Sequence, residues 1–256
     1  MIADENTSAD PTPALELLWG TRERPSRGPR QGLTPDRIVE AAIEIADSEG
    51  LAALSMRRVA SRLGVGAATL YTYVPGKTEL YALMIDAMVG SGPLPHTLPG
   101  GWRERFEAWA REDWTGFREH PWLLRIVSDR PVPGPNTLAW FDSAIRALDG
   151  TGLTGPEKAT VVEVVDGYVR GLARTSLDTA EAERRSGVSE TAWTSLANAF
   201  MARHVDFSAY PHLVEATAES GMPGPEEVFE FGLQRLLDGV EEIIRDRAAC
   251  AGRAPE

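Results

Sequence analysis

Four basic side chains, Arg57, Arg58, Arg62 and Lys77, stand close together in the chain and bracket a run of hydroxyls, Thr69, Tyr71, Thr72 and Tyr73. Guanidinium and ammonium groups pair with phosphate oxygens, and arginine also forks onto the guanine edge. Hydroxyls bond to phosphates or to base edges. The chemistry this set offers is recognition of a nucleic-acid duplex, in which no bond is made or broken.

Such groups need rigid elements to aim them. Ser55 is placed to cap a helix, its hydroxyl accepting from an orphan N–H of the first turn. Met56, Val59, Ala60 and Leu63 follow at i, i+3, i+4 and i+7, one apolar stripe. Gly64 stands where a helix ends in a left-handed residue. A second helix then runs from Ala67 to Val74 and stops at Pro75-Gly76. Two short helices and a tight turn outline a helix-turn-helix, whose second helix enters the major groove. The same outline without its decoration is an ordinary helical hairpin with a solvated basic face. The hydroxyls, aromatics and Lys77 after the turn favour DNA.

The segment RRVASRLGVGAATLYTYVPGKTEL resembles the DNA-binding signature of the tetracycline-repressor family of bacterial regulators. The preceding stretch from Thr34 to Glu49 resembles that family's first helix. Close similarity runs from Leu33 to Val89 and a looser one through the remainder. The resemblance implies DNA-contacting positions at Arg57, Ala68, Thr69, Tyr71 and Tyr73, with Lys77 on a phosphate. Gly66 and Ala67 are small where many relatives carry polar base readers, so readout leans on Arg57, Thr72 and methyl contacts. It also implies a homodimer built on four helices and a small-molecule effector that releases the operator. Around Val127 there is no counterpart of the histidine that helps a tetracycline repressor hold its drug–magnesium complex.

The net charge of −12 argues against a DNA binder until its distribution is considered. Residues 22–77 carry nine bases against six acids, net +3, whereas residues 78–256 carry 17 bases against 28 acids. An acidic body weakens indiscriminate binding and leaves affinity to oriented contacts. One cysteine, Cys250, excludes an internal disulfide and a four-cysteine zinc site. No leader and no apolar run near about 18 residues is present, so a cytoplasmic location is expected.

The expected fold is all-α. Residues 1–32 read mainly as a flexible arm, with at most a turn or two of helix from Ala14 to Trp19 and with Arg22, Arg24, Arg27 and Arg30 either tracking DNA or merely solvated. Residues 33–78 form the helix-turn-helix domain, and residues 79–256 form a helical effector-binding and dimerisation domain. Within the latter, Pro and Gly punctuation predicts helices over 102–118, 121–127, 135–148, 156–185, 190–204 and 225–247. The stretch 205–220 carries no clear pattern.

The aromatic residues are bunched on the helices after Gly101. Trp109, Trp114, Phe117 and Trp140 are either core packing or the wall of an apolar effector cavity. Asp113 shares a face with Trp109. Glu163, Gly167 and Arg170 share a face of a later helix. By the family resemblance Glu163 and Gly167 would line a pocket, while exposure or ion pairing of Glu163 and Arg170 is equally open. His204, Asp206 and His212 fit no common metal spacing. No cofactor is called for, and no nucleophile elbow, P-loop or dinucleotide fingerprint points to an enzyme. The competing reading is a DNA-binding regulator whose body takes a protein partner.

Overall fold

The computed structural model describes residues 10–21, 33–126, 132–218 and 221–251. The arm arginines 22, 24, 27 and 30 and the apolar segment at Val127 lie outside them. The described residues form α-helices and no strand, as expected. In order these are α1 (Thr12–Leu18), α2 (Pro35–Glu49), α3 (Met56–Arg62), α4 (Ala67–Tyr73), α5 (Lys77–Val89) and α6 (Trp102–Glu119). There follow α7 (Leu123–Ile126), α8 (Pro135–Arg146), α9 (Gly155–Ser186), α10 (Glu190–His204), α11 (Pro211–Thr217) and α12 (Pro225–Ala251). The unpatterned stretch thus contains α11.

Local chemistry sets the boundaries. The Thr34 hydroxyl accepts from the Arg37 amide at 3.3 Å, and Pro35 occupies the first position of α2, where its missing N–H costs nothing. Ser55 accepts from the Arg58 amide at 3.2 Å. At the other end of α3, Gly64 adopts φ +66°. Its amide bonds to the Ser61 carbonyl at 3.2 Å and the Val65 amide to the Ala60 carbonyl at 2.9 Å, which closes the helix in a Schellman turn. Glycine takes that left-handed geometry without the steric cost of a Cβ.

The chain divides into two compact units, one up to Val162 and one from Glu163. The division falls inside α9. The reason is α5, which packs on α1, α2 and α8 and so joins the first helices to those that follow. In the segment expected to be an arm, residues 12–18 form α1, which buries Ala14 and rests on α5. Trp19 donates its Nε1–H to the Pro133 carbonyl at 3.1 Å. A short apolar helix with a surface to cover is ordered by packing, whatever its flanks contain.

One core spans α2 to α5. Ile38, Ala42, Ile45, Val59, Leu70, Val74, Leu80 and Met84 are fully buried in it. Trp122 and Ile126, from around α7, enter the same core. Trp122 Nε1 donates to Asp47 Oδ1 at 2.5 Å, and His120 Nδ1 lies 2.7 Å from the same oxygen. This anchoring holds Pro121 and Trp122 in a turn, so the helix expected from residue 121 begins at Leu123.

Asp86 is the most elaborate joint. It is a buried carboxylate on α5 that caps the N-terminus of α8 from outside. Its Oδ1 accepts from the Thr137 amide at 2.9 Å and the Thr137 hydroxyl at 2.8 Å, and its Oδ2 accepts from the Asn136 amide at 3.3 Å. The orphan N–H groups and positive end of a helix favour an anion there. Gly134 permits the approach, since any Cβ at that position would collide with the carboxylate.

In the second unit Val165, Val169, Phe229, Leu233 and Leu237 are buried. Tyr168 stacks on Phe229 with ring centroids 6.3 Å apart, and its hydroxyl donates to the Val228 carbonyl at 2.7 Å.

Candidate nucleic-acid interface

The apolar stripe of α3 and the inward residues Leu70 and Val74 fix which side chains remain outside. Arg57, Ala68, Tyr71, Thr72 and Lys77 are exposed, and Ala67, Thr69 and Tyr73 are half-buried. Tyr71 keeps 46% of its surface open. The Thr72 hydroxyl donates to the Thr69 carbonyl at 2.7 Å. Its oxygen therefore still accepts. Lys77 Nζ stands 5.3 Å from the Tyr81 ring centroid, a cation–π contact that steadies it at the start of α5.

The four bases are not equivalent. Arg58 makes a two-pronged pair with Glu49, Nη2 to Oε1 at 2.6 Å and Nε to Oε2 at 3.1 Å. Each group favours the charged form of the other: the Arg58 hydrogen bond holds the Glu49 carboxyl below its ordinary range, and Glu49 raises that of Arg58. Arg62 Nη2 pairs with Glu44 Oε2 at 2.9 Å. Arg57 has no such partner among the described residues. Sequence reading missed this distinction because both carboxylates lie on α2, and only the crossing of α2 and α3 brings them to the arginines.

The expected effector residues separate into groups. Trp109 and Trp114 are buried, and Asp113, Phe117 and Trp140 are half-buried. Trp109 Nε1 donates to Asp113 Oδ2 at 2.6 Å and meets the edge of Trp140 at 5.0 Å between centroids. Phe106 continues this ladder, 5.2 Å from Trp109. Trp109, Asp113 and Trp140 are thus brought together within the first unit. In the second unit Glu163 and Gly167 are exposed, and Arg170 pairs with Asp166 one turn earlier. Asp166 was not singled out from the sequence, although its spacing of four from Arg170 was the available signal. Burial raises the Asp166 carboxyl above its usual range, opposed by Arg170 and reinforced by Glu163. A shallow open depression of about 460 Å³ lies among Phe207, Ser208, Pro211, Val214 and Glu215, and contains none of the expected residues.

Among the described residues no group of three His, Cys, Asp or Glu side chains is placed to hold a metal ion. No described helix is long and apolar enough to cross a membrane.

Comparison with known proteins agrees with this geometry. Residues 38–84 match the family described as bacterial regulatory proteins, tetR family. Residues 94–244 match the tetracyclin repressor-like C-terminal domain. The chain is 44% identical over 242 residues to the HTH-type transcriptional repressor DrrR1 of Streptomyces coeruleorubidus, covering 94% of this chain and 89% of that one. Among solved structures, apo ActR from Streptomyces coelicolor superposes with a TM-score of 0.70 at 28% identity, over 85% of this chain and 99% of ActR. ActR in complex with actinorhodin gives 0.69 at 28% identity, over 82% and 96%. These relatives are transcriptional regulators and not enzymes. The chain belongs to the tetR family of bacterial regulatory proteins.

Proposed function

We propose that the chain is a ligand-responsive repressor that binds a palindromic operator as a homodimer and is released by a small apolar effector. The observation that supports it most is the outward row of Arg57, Thr72 and Tyr71, held by a core that leaves them no structural task. Arg57 reads a guanine edge, Thr72 contributes its methyl and acceptor oxygen, and Ala67 and Ala68 let the backbone of α4 lie deep in the groove. Thr69, Tyr73 and Lys77 bond to flanking phosphates and set the register. Two copies place their α4 helices in successive major grooves, roughly 34–36 Å apart.

The effector lies against Trp109, Trp114, Phe117 and Trp140, with Asp113 as its polar anchor. ActR, whose structure includes a complex with actinorhodin, supports a small molecule in this role. Glu163, Gly167 and Arg170, within the second unit, are proposed by themselves as a separate set of effector-contacting residues. Effector binding needs to favour the released state by only about 1–3 kcal/mol to act as a switch. A gel shift of the full chain on its own upstream DNA, with and without aromatic small molecules, tests both halves. A shifted band lost on adding a compound that also quenches tryptophan fluorescence is the expected result. No retarded band would remove the operator reading. A band that no compound affects would remove the effector reading.

A further inference from the structure

We infer that Glu49 and Glu44 are specificity-determining residues: they withhold Arg58 and Arg62 from DNA phosphates, so that binding rests on the oriented contacts of Arg57 and α4. The inference rests on the DNA-binding reading above and adds which charges that reading leaves out. Met56, Val59, Ala60 and Leu63 turn inward on α3, which leaves Arg58 and Arg62 four residues apart on one outward face. A helix that precedes the recognition helix crosses the sugar–phosphate backbone. An unrestrained arginine pair on such a helix would add sequence-independent affinity, because phosphate contacts carry no base information. Here each of the two is occupied by a carboxylate of α2, Arg58 through both prongs of its fork. Arg57, next in sequence to Arg58 but turned a third of a turn away, carries no such pair among the described residues.

Stability is a weak account of the arrangement. Ion pairs between exposed side chains usually contribute little to folding, the two-pronged Arg58 pair being the better held of the two, and all four of these side chains are exposed. Glu49 also lies at the C-terminus of α2, where a negative charge is unfavourable with the helix dipole. Its position makes sense as a partner for Arg58.

The test uses the full chain, fluorescence anisotropy and two duplexes of equal length, its own upstream DNA and a scrambled one, across a salt series. The variants are Glu49→Gln, Glu44→Gln, Arg58→Gln and the double variant Glu49→Gln/Arg58→Gln. Glu40→Gln serves as control: it removes the same charge from an exposed position of α2 with no arginine bound to it among the described residues. On scrambled DNA, Glu49→Gln is expected to steepen the slope of log affinity against log salt by about 0.9 for each phosphate gained. That amounts to roughly a threefold greater loss of affinity across a fourfold rise in salt. Glu44→Gln behaves likewise, Glu40→Gln leaves the slope unchanged, and the preference for upstream DNA narrows. Arg58→Gln alone changes the slope little, and in the double variant it abolishes the gain.

A Glu49→Gln slope equal to that of Glu40→Gln would overturn the inference while leaving DNA binding intact. So would an Arg58→Gln variant that lowers the slope in the otherwise natural chain, since Arg58 would then already be on a phosphate. A chain that binds neither duplex at any salt would remove the DNA reading and this inference together.

Discussion

The reader formed by α2 to α4 and the unit from Glu163 onward are both helical, yet they differ in how they dispose of apolar surface. In the reader, Ile38, Ile45, Val59 and Leu70 are buried, and what stays outside is mostly charge, hydroxyls and small side chains such as Ala68. In the second unit Trp193, Leu196, Phe200 and Phe231 keep 61–68% of their surfaces exposed. Apolar area left in water costs on the order of 25 cal/mol per Å², so such faces mark contact surfaces. The reader is complete as a single copy. The second unit leaves apolar side chains in water that a partner would cover, which supports the proposed homodimer.

The largest expected effect breaks that comparison at its strongest point. Leu70→Ala removes a fully buried side chain from a recognition helix of only seven residues. It should cost about 2–5 kcal/mol of stability and abolish DNA binding, as read by thermal unfolding and gel shift. The same truncation at Leu196 should change unfolding of the monomer, measured below the concentration of self-association, by no more than about 0.5 kcal/mol. It should weaken self-association in sedimentation, with any loss of stability at high concentration following from that linkage. Equal losses of stability at the two positions would mean that the second unit is as self-contained as the first.

Next in size is Asp86→Asn. An amide presents one acceptor where the carboxylate presents two, so either the Asn136 amide or the Thr137 pair faces a donor. A loss of about 1.5–3 kcal/mol in chemical denaturation is expected, the range for hydrogen bonds to a charged group. Since Asp86 joins α5 to α8, native-state hydrogen exchange should rise first at the amides of Asn136 and Thr137. An unchanged unfolding midpoint would remove Asp86 from the structural account. Arg57→Ala leaves folding alone and should cost about 1–3 kcal/mol in operator affinity, with relaxed preference at one base pair. Equal loss on operator and scrambled DNA would reassign Arg57 to a phosphate.

The reader was legible because its determinants are local. The Ser55 cap, the Gly64 turn and the 56–59–60–63 stripe each depend on residues within one or two turns. Trp109 and Asp113 were equally readable as an i, i+4 pair. What escaped depends on helix crossings, which spacing along one helix does not encode. Glu49 meets Arg58 and Glu44 meets Arg62 only because α2 crosses α3. Asp86 reaches Thr137 across 51 positions, and Trp122 reaches Asp47 across 75. For Glu163 and Arg170 the sequence left exposure or ion pairing open beside a pocket, and Glu163 is exposed while Arg170 pairs with Asp166 on its own helix.

The two acids Asp86 and Asp166 carry the comparison to its finest scale. Asp86, in the first unit, is met by two backbone amides and a hydroxyl. Asp166, in the second, is met by Arg170, whose Nε is itself buried without a hydrogen-bond partner among the described residues. Burial pushes the Asp166 carboxyl upward, against the pull of Arg170 and with the push of Glu163. A carboxyl raised on folding binds its proton more tightly in the folded chain than in the unfolded one. Its contribution is therefore most favourable below the ordinary aspartate range and is lost as pH rises through the raised value. Asp166→Asn removes this dependence. The difference in melting temperature between the natural chain and this variant should shift in the variant's favour as pH climbs from about 4 toward neutrality, with little further change above. This is the smallest of the expected effects, because Arg170 offsets part of the desolvation. A difference that shifts instead toward the natural chain over the same range would show that pairing with Arg170 outweighs burial, and that the second unit satisfies its buried charge as fully as the first.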